Sequence, residues 1–403
     1  MGWSALGMAS LGWSALVVSV ELEAVRRSLF RRLAPLPGAA RATRVLIVRP
    51  CAGREPWLDA TLPSLASARR SFAASCRFAV ADATDAALPA ARDAAARLAA
   101  KGLDASVILT SAQGPNRKAA QLAAVIAAER APFEVVLVAD SDVDLDGTDL
   151  DALVAPLAAR ADLAAVWAPP VEIGREDGSG TFADRASASL LGASLHAFPI
   201  LAGLDPAGLV GKLFAVKRGA LAEVGGFEAL VGYLGEDMEL ARRLRARGHA
   251  VEAAPIVARS RVSGRTWRQV EARIARWITV IRAQRPALLV SYPALFFATL
   301  PLVLLAAASG EPAPVAAALV AVAVRLLVAA AATSATGARV RPRRLVLDAL
   351  LADGLLAAAF TRALRSRDFV WRDVALTVDR GGRLRSRGAV SGAPAEDRVR
   401  LRT

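Results

Sequence analysis

The chain has 403 residues, enough for one large domain with accessory segments; 55% are hydrophobic, yet the formal net charge is +14, so apolar and basic residues must be segregated along it. Such segregation points to membrane segments flanked by arginine rather than to nucleic-acid binding, because aromatics make up only 5% and the basic residues gather beside apolar stretches. Two cysteines, Cys51 and Cys76, exclude a disulfide framework or a cysteine-rich zinc site.

In chain order, residues 2–20 form an apolar stretch containing Trp3 and Trp13, followed by Arg26, Arg27, Arg31 and Arg32. A bilayer needs about 20 such residues. The positive charge follows the apolar run and none precedes it, which predicts an anchor rather than a cleaved signal. The same asymmetry sends the following domain to the cytoplasmic side.

From residue 44, β-branched apolar runs at 44–48, 77–81, 106–109 and 134–139 alternate with helical patterns at 57–68, 88–100 and 118–128. This alternation predicts an α/β domain with a mostly parallel sheet and helices on both faces. The organising stretch is 134–146, where the buried-strand pattern Val135-Val136-Leu137-Val138 delivers Asp140 and Asp142. Two carboxylates, two residues apart at a strand end, can point the same way and suit Mg²⁺ or Mn²⁺ carrying a diphosphate. Taken alone, the same residues also fit an Asp-rich turn capping a helix.

Further on, the pattern predicts a strand at 163–167, a polar loop at 172–180, one helix over 186–201 holding His196, and a strand at 211–216. A helix over 235–247 opens with Glu236 and Asp237 and closes at Gly248; His249 then reads as a turn residue. Over 265–285, Trp267, Val270, Ile274, Trp277 and Ile281 recur at helical spacing among Arg268, Arg273, Arg276, Arg282 and Arg285, an interfacial helix. Two apolar segments, 288–308 and 314–333, follow as a transmembrane hairpin, with Arg325 expected to face protein or snorkel. Residues 345–364, interrupted by Asp348 and Asp353, read as interfacial or re-entrant, and the remainder as a basic tail disordered after Ser391. The expected organisation is therefore an anchor with its basic flank (1–32), a sheet domain (44–264), an interfacial helix (265–287), hydrophobic segments (288–364) and a tail (365–403).

Taken together and in order, the motifs resemble membrane-bound family-2-like glycosyltransferases, and most closely family 21, which contains ceramide glucosyltransferase and the bacterial hopanoid-associated enzymes. Arg49-Pro50-Cys51-Ala52-Gly53 looks like K/R-P-x-x-G, Phe78 to Asp82 like a strand ending in the first aspartate, and Asn116-Arg117-Lys118 like N-x-K. Gly211-Lys212 resembles the G-K of the bacterial members, Glu236-Asp237 the E-D pair, and Arg273-Ile274-Ala275-Arg276-Trp277 the Q/R-x-x-R-W helix. The resemblance implies a GT-A-like (Rossmann-like) sheet domain, cytoplasmic in a bacterial inner membrane, with an N-terminal anchor and C-terminal transmembrane and interfacial helices. It also implies inverting transfer of a sugar from a nucleotide-sugar donor such as UDP-glucose to a lipid acceptor, ceramide-like or hopanoid.

On that reading Asp237 is the general base, Asp82 contacts the nucleotide, and Asp140 with Asp142 holds Mg²⁺ or Mn²⁺, either aspartate being the principal ligand. Lys118 neutralises the nucleotide and Lys212 lines the donor pocket, or each is a solvated surface charge; only four of the 51 basic residues are lysine. Arg273 and Arg276 could clamp the diphosphate or the acceptor head. They could equally be anchor charges. Trp277 completes the motif but reads as an interfacial or packing residue, and His196 as a packed one. Two other functions fit the same motifs: a processive polysaccharide synthase, which needs more spans to build a channel, and an inactive membrane scaffold.

Overall fold

The computed structural model describes residues 4–30, 38–173, 180–366, 368–371 and 374–389. Two compact units emerge: one comprises residues 1–31, 179–205 and 264–367, the other residues 32–178, 206–263 and 368–403. Arg31, Arg32, most of the polar loop at 172–180 and the segment expected to be disordered after Ser391 lie outside the described residues.

The second unit is built on strands β1 (Arg44–Pro50), β2 (Ala73–Val80), β3 (Asp104–Leu109), β4 (Val135–Ala139), β5 (Val143–Asp144), β6 (Leu163–Trp167), β7 (Pro170–Ile173), β8 (Leu213–Lys217), β9 (Ala250–Ala253) and β10 (Ala258–Arg261). Seven of them form one sheet in the order β3-β2-β1-β4-β8-β6-β9, in which only β8 runs antiparallel to its neighbours. Every residue of β4 is buried, as its unbroken apolar run requires of a strand covered on both faces. Val45, Ile47 and Leu137 pack with Leu98 of the helix Leu88–Ala99, while Leu46, Val48 and Val136, which point the other way, are equally buried. The α/β class with a mostly parallel sheet is thus the one expected. The chain moves outward from β1 to β3 and then returns with β4 beside β1. That reversal opens the crevice at the carboxyl ends of β1 and β4, where the acidic residues lie.

Strands β5, β10 and β7 form a small second sheet, and a three-stranded meander follows from β11 (Asp368–Trp371), β12 (Val374–Val378) and β13 (Leu384–Ala389). The sequence offered residues 365–389 only as basic tail. Their strand signal is a short alternating run closed by the turn Asp379-Arg380-Gly381-Gly382, in which Asp379 Oδ1 accepts from the amides of Gly381 at 2.8 Å and Arg383 at 3.0 Å.

The other unit is helical. Among the described residues, three helical segments are long and apolar enough to cross a membrane: Ala5–Leu29, Pro286–Ser309 and Pro312–Ala335. The second is not the uniform helix expected: a 3₁₀ turn at Pro286–Val290 and a π-type turn at Tyr292–Phe296 precede the α-helix Thr299–Ser309. Pro286, Pro293 and Pro301 account for this, since each removes an amide donor from the ladder. The single helix expected over 186–201 is two, Phe182–Gly192 and Phe198–Leu204, with His196 in the turn between them, its Nε2 3.3 Å from Tyr292 Oη. Gly192 ends the first, and Pro199 sits in the first turn of the second. The helix expected over 57–68 likewise breaks before Pro63.

Arg325 faces protein. Its guanidinium pairs with Asp353 of the helix Pro342–Arg365 and lies 3.9 Å from Glu21 of the helix Ala5–Phe30. The long helices approach closely through small residues: Ser14 Oγ donates to the Ala317 carbonyl at 3.0 Å. At Gly203 a Cβ would fall 2.8 Å from Ser28 N and 2.9 Å from Ala24 O, both backbone atoms that cannot rotate away. Gly203→Ala is therefore expected to destabilise the helical unit by about 1–3 kcal/mol. Thermal unfolding in detergent checks this against Gly12→Ala, whose added Cβ meets nothing within 4 Å.

Candidate active site

Asp140 is the first residue past β4, and the antiparallel register Ala139↔Leu213 places Lys212, just before β8, opposite it. The Asp140 amide donates to the Lys212 carbonyl at 2.9 Å. Lys212 Nζ lies 2.7 and 2.6 Å from the two Asp142 oxygens and 3.4 Å from Asp140 Oδ2. On the other side, Lys118 Nζ lies 2.7 Å from Asp140 Oδ1 and 3.3 Å from Glu236 Oε1, and donates to the Gly211 carbonyl at 2.6 Å. Burial alone would lower the Lys118 pKa. Asp140 and Glu236 beside it instead hold it above the ordinary lysine value. Burial would likewise raise Asp140, but Lys118 and Lys212 keep it below the usual carboxylate range.

Asp237 stands in the first turn of the helix Glu236–Ala246 and accepts from the Gly211 amide at 2.6 Å through Oδ2 and from the Met238 amide at 2.8 Å through Oδ1. Burial, and then the charge of Glu236, push its pKa up to about 6. A Cβ at Gly211 would lie 3.0 Å from both Asp237 Oδ2 and Lys118 Nζ, so a side chain there would press on both groups. Asn116 caps the helix Arg117–Ala128 by accepting from the Ala119 amide at 3.0 Å, and its Nδ2 donates to the Tyr233 carbonyl and to Glu236 Oε2, both at 2.8 Å. The N-x-K motif therefore ties a helix start to the E-D pair.

Asp82 follows β2 and is locally occupied, its Oδ1 accepting from Thr84 N at 2.8 Å and Thr84 Oγ1 at 2.5 Å; these bonds hold its pKa down. Asp140, Asp142, Lys118, Lys212 and Asp237 form one connected network. Arg273, Arg276 and Trp277 belong to the helical unit. There Arg273 Nη2 donates to Ser187 Oγ at 2.8 Å and its guanidinium lies 5.1 Å from the Trp277 ring centroid, while Trp277 packs edge-on to Phe198. Gln269, which shares their helix, is engaged in the capping box of Thr266.

Two residues of the network carried no role in the sequence reading. Glu55, two positions past Gly53, accepts from Ser141 Oγ at 2.9 Å, and burial followed by the charge of Asp142 raises its pKa. Its signal was its place just after R-P-x-x-G. Arg49 matched that motif but had no assigned work. It is fully buried, and its guanidinium donates to the carbonyls of Thr61 (2.6 Å), Leu62 (3.1 Å), Asp140 (3.0 Å), Ser141 (3.4 Å) and Val143 (2.6 Å). One planar fork thus holds the acidic turn in place. Lysine cannot span these acceptors, so Arg49→Lys is expected to cost about 2–3 kcal/mol of stability and to weaken nucleotide affinity, read by thermal unfolding and by titration with nucleoside diphosphate. Unchanged values in both would remove Arg49 from this role.

A family model described as glycosyl transferase family 21 matches residues 11–384. No curated protein matches the chain. Among solved structures, a mannosyltransferase from Pyrobaculum calidifontis in complex with GDP-Man and Mn²⁺ is similar at 18% identity over 89% of this chain and 99% of that chain, with a TM-score of 0.45. Glucosyl-3-phosphoglycerate synthase from Mycobacterium tuberculosis in complex with Mg²⁺ and UDP is similar at 18% identity over 60% and 81%, with a TM-score of 0.35. With the family model spanning nearly the whole sequence, including every residue of the network above, this chain belongs to glycosyl transferase family 21 and is a glycosyltransferase.

Proposed function

We propose that the enzyme transfers one sugar, with inversion, from a nucleotide-diphosphate donor such as UDP-glucose to the hydroxyl of a membrane lipid, ceramide-like or hopanoid. Residues 44–264 act as its catalytic domain on the cytoplasmic side of a bacterial inner membrane. The observation that carries the reading is the meeting of Asp140, Asp142, Lys118, Lys212 and half-buried Asp237 at the carboxyl end of β4, in a chain whose described residues include three helical segments able to cross a membrane.

The donor set fits a divalent cation. Asp140 and Asp142 offer hard oxygens, and the Lys212 ammonium resting on both Asp142 oxygens is itself a stand-in for positive charge there. Asp140 and Asp142 would hold Mg²⁺ or Mn²⁺, which supplies charge neutralisation of the departing diphosphate. Lys118, fixed between Asp140 and Glu236, adds positive potential, and Lys212 would yield Asp142 to a cation held there. Asp237 takes the proton of the acceptor hydroxyl as its oxygen attacks the anomeric carbon, and a single displacement of this kind inverts the centre. Asp82 contacts the nucleotide, and Arg273 with Arg276 grips phosphate or the acceptor head from the membrane-facing helix.

Purified full-length protein in lipid nanodiscs, given nucleotide sugar, Mg²⁺ and candidate lipids, should yield a mono-glycosylated lipid by mass spectrometry. Chelation should abolish the reaction, and Asp142→Ala and Asp237→Asn should each cost at least about 100-fold in turnover. A ladder of sugar units would show a processive synthase instead. Retained cellular role in both variants would show a scaffold. The rate should also fall as pH drops through about 6, because Asp237 must be unprotonated to accept the hydroxyl proton. A limb centred near the ordinary aspartate value would count against Asp237 as base. Finally, if Arg273 and Arg276 are clamps, Arg273→Lys and Arg276→Lys should each lower turnover about 10- to 100-fold with membrane retention unchanged, whereas Arg268→Lys on the exposed side of the same helix should be neutral. Full activity in both motif variants leaves the helix as an anchor.

A further inference from the structure

The first turn of the helix Glu236–Ala246 carries the acidic pair of the site, yet its cap is Gly235, a residue with no side chain to cap it. Its position is therefore set from outside. One support is Asn116, described above. The other comes from the end of the chain. The meander's hairpin turn lies antiparallel against residues 232–234: Leu384 N donates to the Gly232 carbonyl at 2.8 Å, Leu234 N donates to the Gly382 carbonyl at 3.1 Å, and Tyr233 and Arg383 form the bridge between. The Arg383 side chain reinforces it, with Nε donating to Tyr233 Oη at 3.2 Å and the guanidinium 5.5 Å from the ring centroid. Tyr233 is 9% exposed, and its carbonyl is the acceptor for Asn116, whose amide group also holds Glu236. A continuous set of contacts runs from Arg383 through Tyr233 and Asn116 to Glu236, and the main chain runs from Leu234 through Gly235 to Asp237.

We propose that the C-terminal meander is a working part of the glycosyltransferase site: Gly382 to Leu384 fixes the 232–235 segment, and Arg383 is a positioning residue that sets the place of Asp237. The proposal rests on Asp237 being the base. The donor side of the network is held from elsewhere, by Arg49 beneath the acidic turn and by β8 beside it. Loosening the meander should therefore move the proton acceptor and leave nucleotide binding alone, a split that a general loss of folding would not give.

Two full-length variants test this from different sides. Arg383→Ala removes the side-chain contacts, and Gly382→Ala strains a residue whose φ is +81°, displacing the carbonyl that accepts from Leu234. Each should lower kcat about tenfold while the Kd for nucleoside diphosphate stays within about twofold, the scale expected when a reacting group is displaced rather than removed. Arg383→Lys, which keeps a cation and a donor for Tyr233, should recover kcat to within about threefold of the parent. In an Asp237→Asn background Arg383→Ala should have little further effect, because the group it positions is already gone. The proposal is overturned if both single variants keep kcat within about twofold, or if nucleotide affinity falls in step with kcat. Should Asp237→Asn itself retain full turnover, the base assignment fails, and the separation of kcat from nucleotide affinity in Arg383→Ala still decides whether the meander serves the site.

Discussion

Charge balance at the end of β4 is the constraint from which the rest of the sheet unit follows. Among the described residues, Asp140, Asp142, Glu236 and Asp237 meet two ammonium groups, those of Lys118 and Lys212. With every group ionised, the cluster carries two negative charges too many for a largely desolvated place. Two responses relieve this. Asp237, which has backbone amides but no ammonium in hydrogen-bonding contact, is pushed toward neutrality, while Asp140 between both lysines stays charged. With Asp237 neutral one negative charge remains uncompensated, and the carboxylates that would receive a cation are those the lysines now screen. One imbalance thus gives two carboxylates of a single network opposite proton affinities.

The geometry of that network was partly legible in the sequence because strand ends and register do most of the placing. The apolar run of β4 announces where Asp140 must emerge, whereas the strand expected over 211–216 put Lys212 inside it rather than just before its start at Leu213. What could not be read was the direction of β8. A parallel strand would have put Lys212 at the opposite edge, and a short apolar run carries no mark of its direction. Arg49 was hidden for a different reason. A charged residue inside a strand has no periodic signature that distinguishes solvent exposure from five carbonyl acceptors, and only the folded turn supplies the acceptors. The tail was misread because arginine dominates its composition, masking an alternation of apolar residues that is only five residues long.

In the helical unit the same accounting explains departures from a simple hairpin. Arg325 is tolerable within an apolar helix because Glu21 and Asp353 come from two other helices to meet it, and the residue expected to interrupt the third segment is the one that pairs. Prolines at 286, 293 and 301 keep Pro286–Ser309 from being one regular helix, and the Phe296 carbonyl next to the π-type turn lies 3.4 Å from the Arg325 guanidinium. Polar backbone exposed by the irregular turns therefore finds a donor inside the bundle rather than facing lipid.

The two lysines differ in how they are bound, and the difference assigns them different work. Lys118 is enclosed by three oxygen acceptors drawn from three separate segments, Asp140, Glu236 and the Gly211 carbonyl, and cannot leave without unfastening β4 from the helix Glu236–Ala246. Lys212 rests on both oxygens of Asp142 and lies 3.4 Å from Asp140 Oδ2. Gly211, adjacent in sequence, then has a double duty: its carbonyl fixes Lys118 and its amide fixes Asp237, and a Cβ there would crowd both side chains at 3.0 Å. A single glycine thus couples the placing of Lys118 to that of Asp237.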